Sequence, residues 1–193
     1  VSMPVQTDIR KGETPLLNGP EVSVEKRPLM LLDIDGVISP LNTRNPENYE
    51  TIQGTYPLDI HPQLPKYLRR YLNLVQPVWA STWADTANKE TVLLDHLGFE
   101  ELPWINFHAE IDPSYHEGLD LLDPTRKLPW IKAFAEHFSD RPIIWWEDDA
   151  FDDAESWVAE RNLVCPMLLI SPERDIGITP EQLEETTDFL NQI

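Results

Sequence analysis

Two aspartates one residue apart, Asp33 and Asp35, followed at once by Gly36, are the residues of this chain best suited to chemistry. They close the short apolar run Leu29-Met30-Leu31-Leu32, and if that run is a strand its period of two sends both carboxylates to one side. Two carboxylates in one small volume repel unless a cation or proton compensates them, and a glycine beside them lets the backbone turn sharply and approach a ligand. One carboxylate can attack phosphorus to give an acyl phosphate, while the other protonates the leaving oxygen and later takes a proton from water. Asp and Gly are also ordinary turn residues, so the pattern alone fits a solvated strand-to-loop turn as well.

Three further groups belong to the same edge, two of them just past an apolar run and one just before a helix. Ser81 and Thr82 follow Val78-Trp79-Ala80, where a hydroxyl or backbone N–H can bind a phosphoryl oxygen or, equally, cap a helix. Lys127 precedes Leu128-Pro129-Trp130-Ile131, so its ammonium can stand at a helix start and neutralise a phosphoryl group or the nucleophile, with Lys132 as a competing candidate. Glu147-Asp148-Asp149 follows Ile143-Ile144-Trp145-Trp146, with Asp152, Asp153 and Glu155 close behind. A divalent cation resolves such a self-repelling cluster, and hard oxygen ligands suit magnesium; the dipole of a following helix over residues 150–162 accommodates acidic residues too. The histidines carry no zinc-like spacing: His61, His96 and His137 read as structural or surface residues, and His108 and His116 lie in a polar loop where they can touch substrate or, as loop histidines more often do, simply face water.

The runs at 29–32, 78–80, 104–107, 143–146 and 167–170, each separated by room for a helix, predict parallel βαβ units. Helices are expected over 86–97, closed by Gly98, after Pro129, over 150–162, and from Pro180 to about Asn191 behind the capping box Thr179-Pro180-Glu181-Gln182. Trp79, Trp145 and Trp146 are expected in the core. Residues 1–27 read as an irregular leader, with Val1-Ser2-Met3 foreign to the fold, and residues 28–193 as one domain. Two insertions interrupt it: 38–63, with a hairpin flap turning at Gly54, and 108–126, a polar loop holding Glu110, Asp112, Glu117, Asp120 and Asp123.

In order, Leu31-Leu32-Asp33-Ile34-Asp35-Gly36-Val37, Trp79-Ala80-Ser81-Thr82-Trp83, Lys127 and Trp145-Trp146-Glu147-Asp148-Asp149 resemble the four motifs of the haloacid dehalogenase-like hydrolase superfamily, over residues 29 to about 170. The resemblance implies a Rossmann-like three-layer α/β/α domain with a mainly parallel sheet. It implies Asp33 as nucleophile, Asp35 as general acid and base, Ser81 on the phosphoryl group and Lys127 orienting charge. It also implies magnesium held by the Asp33 carboxylate, the Asp35 backbone carbonyl and a carboxylate of Asp148 or Asp149, with Asp149 favoured. An aspartate at position 35 favours phosphoryl transfer over dehalogenation, and the short cap positions, 36–77 and about 83–126, imply a mostly open site. Gly36, Ser81, Thr82 and Lys127 are the expected substrate-binding residues.

Composition narrows the rest. The 193 residues suffice for a single domain, and seven Trp, six Phe and five Tyr describe a folded chain. Thirty-four acidic against 15 basic side chains give a net charge of −19, which makes nucleic acid and anionic lipid poor partners and a small phosphorylated substrate a better one. The lone Cys165 forms no internal disulfide, and no run approaches the roughly 18 apolar residues of a membrane span. A cytoplasmic monomer is expected. A catalytically silent metal- or protein-binding relative, and transfer to an acceptor other than water, stand as alternatives; an exposed tryptophan patch would favour the silent module.

Overall fold

The computed structural model describes residues 15–119, 126–150 and 152–193. The first fourteen leader residues, Asp120 and Asp123 of the polar insertion, and Phe151 of the expected helix lie outside that set.

The fold is α/β, built on a six-stranded, mostly parallel sheet. Its centre is β2 (Leu29–Leu32), flanked by β5 (Gln76–Trp79) and β7 (Ile143–Trp146), both parallel to it. Beyond β7 lies parallel β8 (Met167–Ile170), and beyond β5 lies parallel β6 (Trp104–Ile105). The edge is β1 (Leu17–Asn18), antiparallel to β6 and drawn from the segment expected to be an irregular leader. A separate hairpin pairs β3 (Glu50–Gln53) with β4 (Pro57–Ile60) around Gly54, the expected flap.

All four residues of β2 are buried because the strand has core on both faces. Met30 and Leu32 join Trp79, Ile144 and Trp146 in one cluster, with side chains from α1 (Leu64–Tyr71), α3 (Thr91–Leu97) and α6 (Pro180–Gln192). Leu29 and Leu31 join Val78, Ile143 and Trp145 in the other, with side chains from α4 (Leu128–His137) and α5 (Asp152–Asn162). Trp79, Trp145 and Trp146 are thus core residues, as expected, and Trp83, Trp104, Trp130 and Trp157 are half-buried. No helix among the described residues is long and apolar enough to cross a membrane.

Three local expectations change. The helix expected over 86–97 is two pieces, α2 (Ala84–Ala87) and α3. Asn88 breaks it: its buried amide accepts the Trp79 indole N–H at 3.0 Å and the Leu102 N–H at 2.9 Å, and donates to the Leu102 carbonyl at 2.8 Å. Polar satisfaction of the strand outranks helix continuity there. The strand expected over 104–107 stops at Ile105, since the Asn106 side chain accepts the His108 N–H at 3.0 Å and turns the chain. The helix expected from 150 is assigned from Asp152. The other punctuation acts as read: Gly98 adopts φ 77 at the end of α3, and Thr179 and Gln182 form a reciprocal capping box.

Candidate active site

The strand order places β5 and β6 on one side of β2 and β7 and β8 on the other, so the crossovers reverse direction at β2. In open α/β sheets the crevice at such a reversal, outside the carboxyl ends of the strands, receives ligands. Asp33 stands there, its N–H donating to the Trp146 carbonyl at 3.1 Å. A cleft of about 270 Å³ opens beside it, lined among others by Asp35, Thr82, Lys127, Asp148 and Arg174.

Lys127 organises the floor. Its ammonium lies 3.0 Å from Asp33 Oδ1, 2.8 Å from Glu147 Oε2 and 2.9 Å from the Ala80 carbonyl oxygen. The side-chain exposures are 11% for Lys127, 7% for Asp33 and 3% for Glu147, so this network is largely removed from water. Burial disfavours the ammonium, but Asp33 and Glu147 outweigh it and hold the Lys127 pKa above the ordinary lysine value. Lys132, the competing candidate, lines a different groove with Trp157 and Arg161.

Asp33, Glu147 and Asp148 each offer a carboxylate oxygen within 4.8 Å of the others. Burial, and then the charge of Asp33, pushes Glu147 well above the usual carboxylate range and raises Asp148 as well. The donor set therefore fits a hard divalent cation: it is all carboxylate oxygen, with Lys127 on Asp33 and Glu147 and only the longer Arg174 contact, at 3.4 Å, on Asp148. Glu147, at 2% exposure, is a member of the acidic run named from the sequence, and its contact with Lys127 was not foreseen there. Asp149 lies apart from it, 44% exposed and bonded to Arg174 at 2.8 Å, so the member of the pair that joins Asp33 is Asp148.

Gly36 adopts φ 75, and a Cβ built on it would stand 2.4 Å from Asp148 Oδ2. The glycine thus serves a positive φ and clears the space that lets the turn after β2 meet the turn after β7. Asp35 is half-buried on the cleft wall, and its pKa is raised by burial, partly offset by Trp83 and Lys127. The Trp83 indole N–H forms no hydrogen bond of normal geometry, yet lies close enough to favour the ionised Asp35.

Thr82 reaches the cleft, whereas Ser81 is buried, accepts the Trp83 N–H at 3.4 Å and lines an adjoining pocket walled by Trp104, Phe107 and Trp130. Arg174 and Arg126 also line the cleft and were not foreseen. Both were legible in principle: Arg174 follows the carboxyl end of β8, where the same edge rule applies, and Arg126 adjoins Lys127. The sequence matches no family model and no curated protein.

Proposed function

We propose that this chain is a magnesium-dependent phosphohydrolase that works through an aspartyl phosphate on Asp33, in a Rossmann-like, three-layer domain of haloacid dehalogenase type. The observation that carries the reading is the buried bridge of Lys127 between Asp33 and Glu147, with Asp148 in the same carboxylate cluster, at the carboxyl edge of the central strand.

Asp33 and Asp148 would hold the ion, whose chemistry when bound is to neutralise charge on the phosphoryl oxygens. Lys127 fixes the Asp33 carboxylate and offsets negative charge brought in by the substrate. Asp33 oxygen forms a bond to phosphorus as the ester P–O bond breaks, and Asp35 gives its proton to the departing oxygen. Burial favours the protonated Asp35 that this step requires. Asp35 then removes a proton from the water that attacks the phosphoryl group, which restores Asp33. Thr82 and the Gly36 turn line the approach of the phosphoryl oxygens. A cleft of about 270 Å³ matches a small phosphorylated molecule.

The silent binding module gains no support from the tryptophans, since all seven are buried or half-buried. The test is hydrolysis of a generic aryl phosphate with and without magnesium by the native chain and Asp33→Asn, a near-isosteric change. Magnesium-dependent turnover is expected, falling by at least about a thousandfold in Asp33→Asn; turnover retained by the variant would sink the reading.

A further inference from the structure

Arg174 stands on the loop leaving β8, and that loop is stitched to the one leaving β2. Its carbonyl accepts the Leu41 N–H at 2.7 Å, and the Asp175 carbonyl accepts the Arg44 N–H at 2.8 Å. The Arg44 guanidinium bonds Asp175 at 2.9 Å and Glu173 at 3.0 Å, and the Val37 carbonyl accepts the Ile178 N–H at 2.9 Å. The Arg174 Cβ lies 3.0 Å from the position a Cβ on Gly36 would take, so the side chain rises directly beside the nucleophile turn.

From this anchored stem the guanidinium spans the acidic rim, with Nε 3.4 Å from Asp148 Oδ2 and Nη2 2.8 Å from Asp149 Oδ1. It remains 56% exposed while lining the cleft, and those contacts engage only part of its planar fork of N–H donors. Lys127, by contrast, is buried and committed to Asp33 and Glu147, and Arg126 pairs with Asp153. In a chain of net charge −19, a fixed cation at the cleft mouth weighs heavily in which anions enter. The shorter contact, to Asp149, lies outside the carboxylate cluster and keeps the guanidinium at the rim, with its remaining N–H donors available to an incoming anion.

We propose that Arg174 is the substrate-reading residue of this cleft, and that the substrate class is a phosphate monoester carrying a second anionic group, a carboxylate or a further phosphate, near the ester oxygen. The proposal rests on the phosphohydrolase reading of Asp33 but concerns a different contact. It is tested by binding, without turnover. The Asp33→Asn chain in magnesium is titrated calorimetrically with 2-phosphoglycerate and with glycerol 2-phosphate, which differ by one carboxylate. The first binds at least about tenfold more tightly, as one charge-assisted hydrogen bond in a half-exposed setting supplies, and Arg174→Gln on the same background brings the ratio close to unity. A ratio near unity with Arg174 present, a preference that survives Arg174→Gln, or no binding of either probe overturns the proposal. Aryl phosphate turnover by the native chain judges the phosphohydrolase reading separately.

Discussion

Replacing Lys127 by Met keeps most of the side chain's volume and removes its charge, leaving Asp33 and Glu147 facing each other in a site nearly closed to water. Breaking one partner of a buried ionic network costs about 3–5 kcal/mol, because the remaining charge is uncompensated. Here the loss has a built-in relief valve. Glu147 already sits well above the usual carboxylate range, through burial and then Asp33, with Lys127 pulling the other way. Without Lys127 it rises further, and the folded variant escapes much of the penalty by binding a proton. A carboxyl whose folded-state pKa is raised contributes stability below its unfolded pKa and loses it as pH climbs through the folded value. The deficit of Lys127→Met relative to the native chain must therefore be small near pH 5 and grow toward pH 8, by as much as about 1.4 kcal/mol per pH unit while Glu147 titrates. Urea unfolding at the two pH values measures it. Adding Glu147→Leu to the variant should recover most of the deficit at pH 8. A deficit under about 1 kcal/mol at pH 8, or one equal at both pH values, would refute the claim that this bridge is a buried charge network.

The Gly36→Ala chain should fold with a loss of about 1–2 kcal/mol from its left-handed backbone. Its Cβ would sit 2.4 Å from Asp148 Oδ2 where real contacts stay above 3.0 Å, so that carboxylate must retreat by at least about 0.6 Å and magnesium binding by calorimetry should weaken at least about tenfold. A single magnesium concentration, a hundredfold above its dissociation constant at pH 8, should raise Tm by roughly 5–10 °C at pH 8 and by much less at pH 5. The sign follows from the raised pKa values of Glu147 and Asp148, which keep protons on the folded cluster at low pH; a gain independent of pH in differential scanning calorimetry would count against a cation on these carboxylates. Asn88→Ala should cost about 2–3 kcal/mol in urea unfolding, since it strands the Trp79 indole N–H and both Leu102 backbone groups, and leave the magnesium affinity of a distant cluster unchanged.

How much of this was visible in the residues depends on whether the deciding interaction was local. The strands β2 and β7 announce themselves as apolar runs because both faces are buried, and Thr179-Pro180-Glu181-Gln182 specifies a helix start within four residues. The placement of Asp33, Asp35 and Thr82 at one cleft followed from the edge rule applied to successive runs, and that of Lys127 from the helix start it precedes. What stayed hidden was set by partners far along the chain. Asn88 reads as helix interior until Leu102 is known to lie opposite it. Asp148 and Asp149 are indistinguishable as neighbours in sequence; the course of the turn after β7 sends one toward Gly36 and the other toward Arg174. The two-residue β1 carries no periodicity at all and exists because β6 offers it an open edge.

The energetics of the floor set its charges apart from the rest of the core. The cluster lies where strands with core on both faces end, so Asp33 and Glu147 are largely removed from water and an acid there is costly to ionise. A turn that merely joined β7 to α5 would gain stability from a leucine at position 147, as buried ion pairs replaced by well-packed apolar residues often do. The chain instead places Glu147 at 2% exposure beside a second and third carboxylate, and commits a buried lysine to Glu147 and Asp33 and a half-exposed arginine to Asp148. The compensation is incomplete, with two acids left titrating above their ordinary range. Positive charge brought to this site would relieve those two acids, and under the phosphohydrolase reading proposed above a cation carrying a phosphoryl group would supply it.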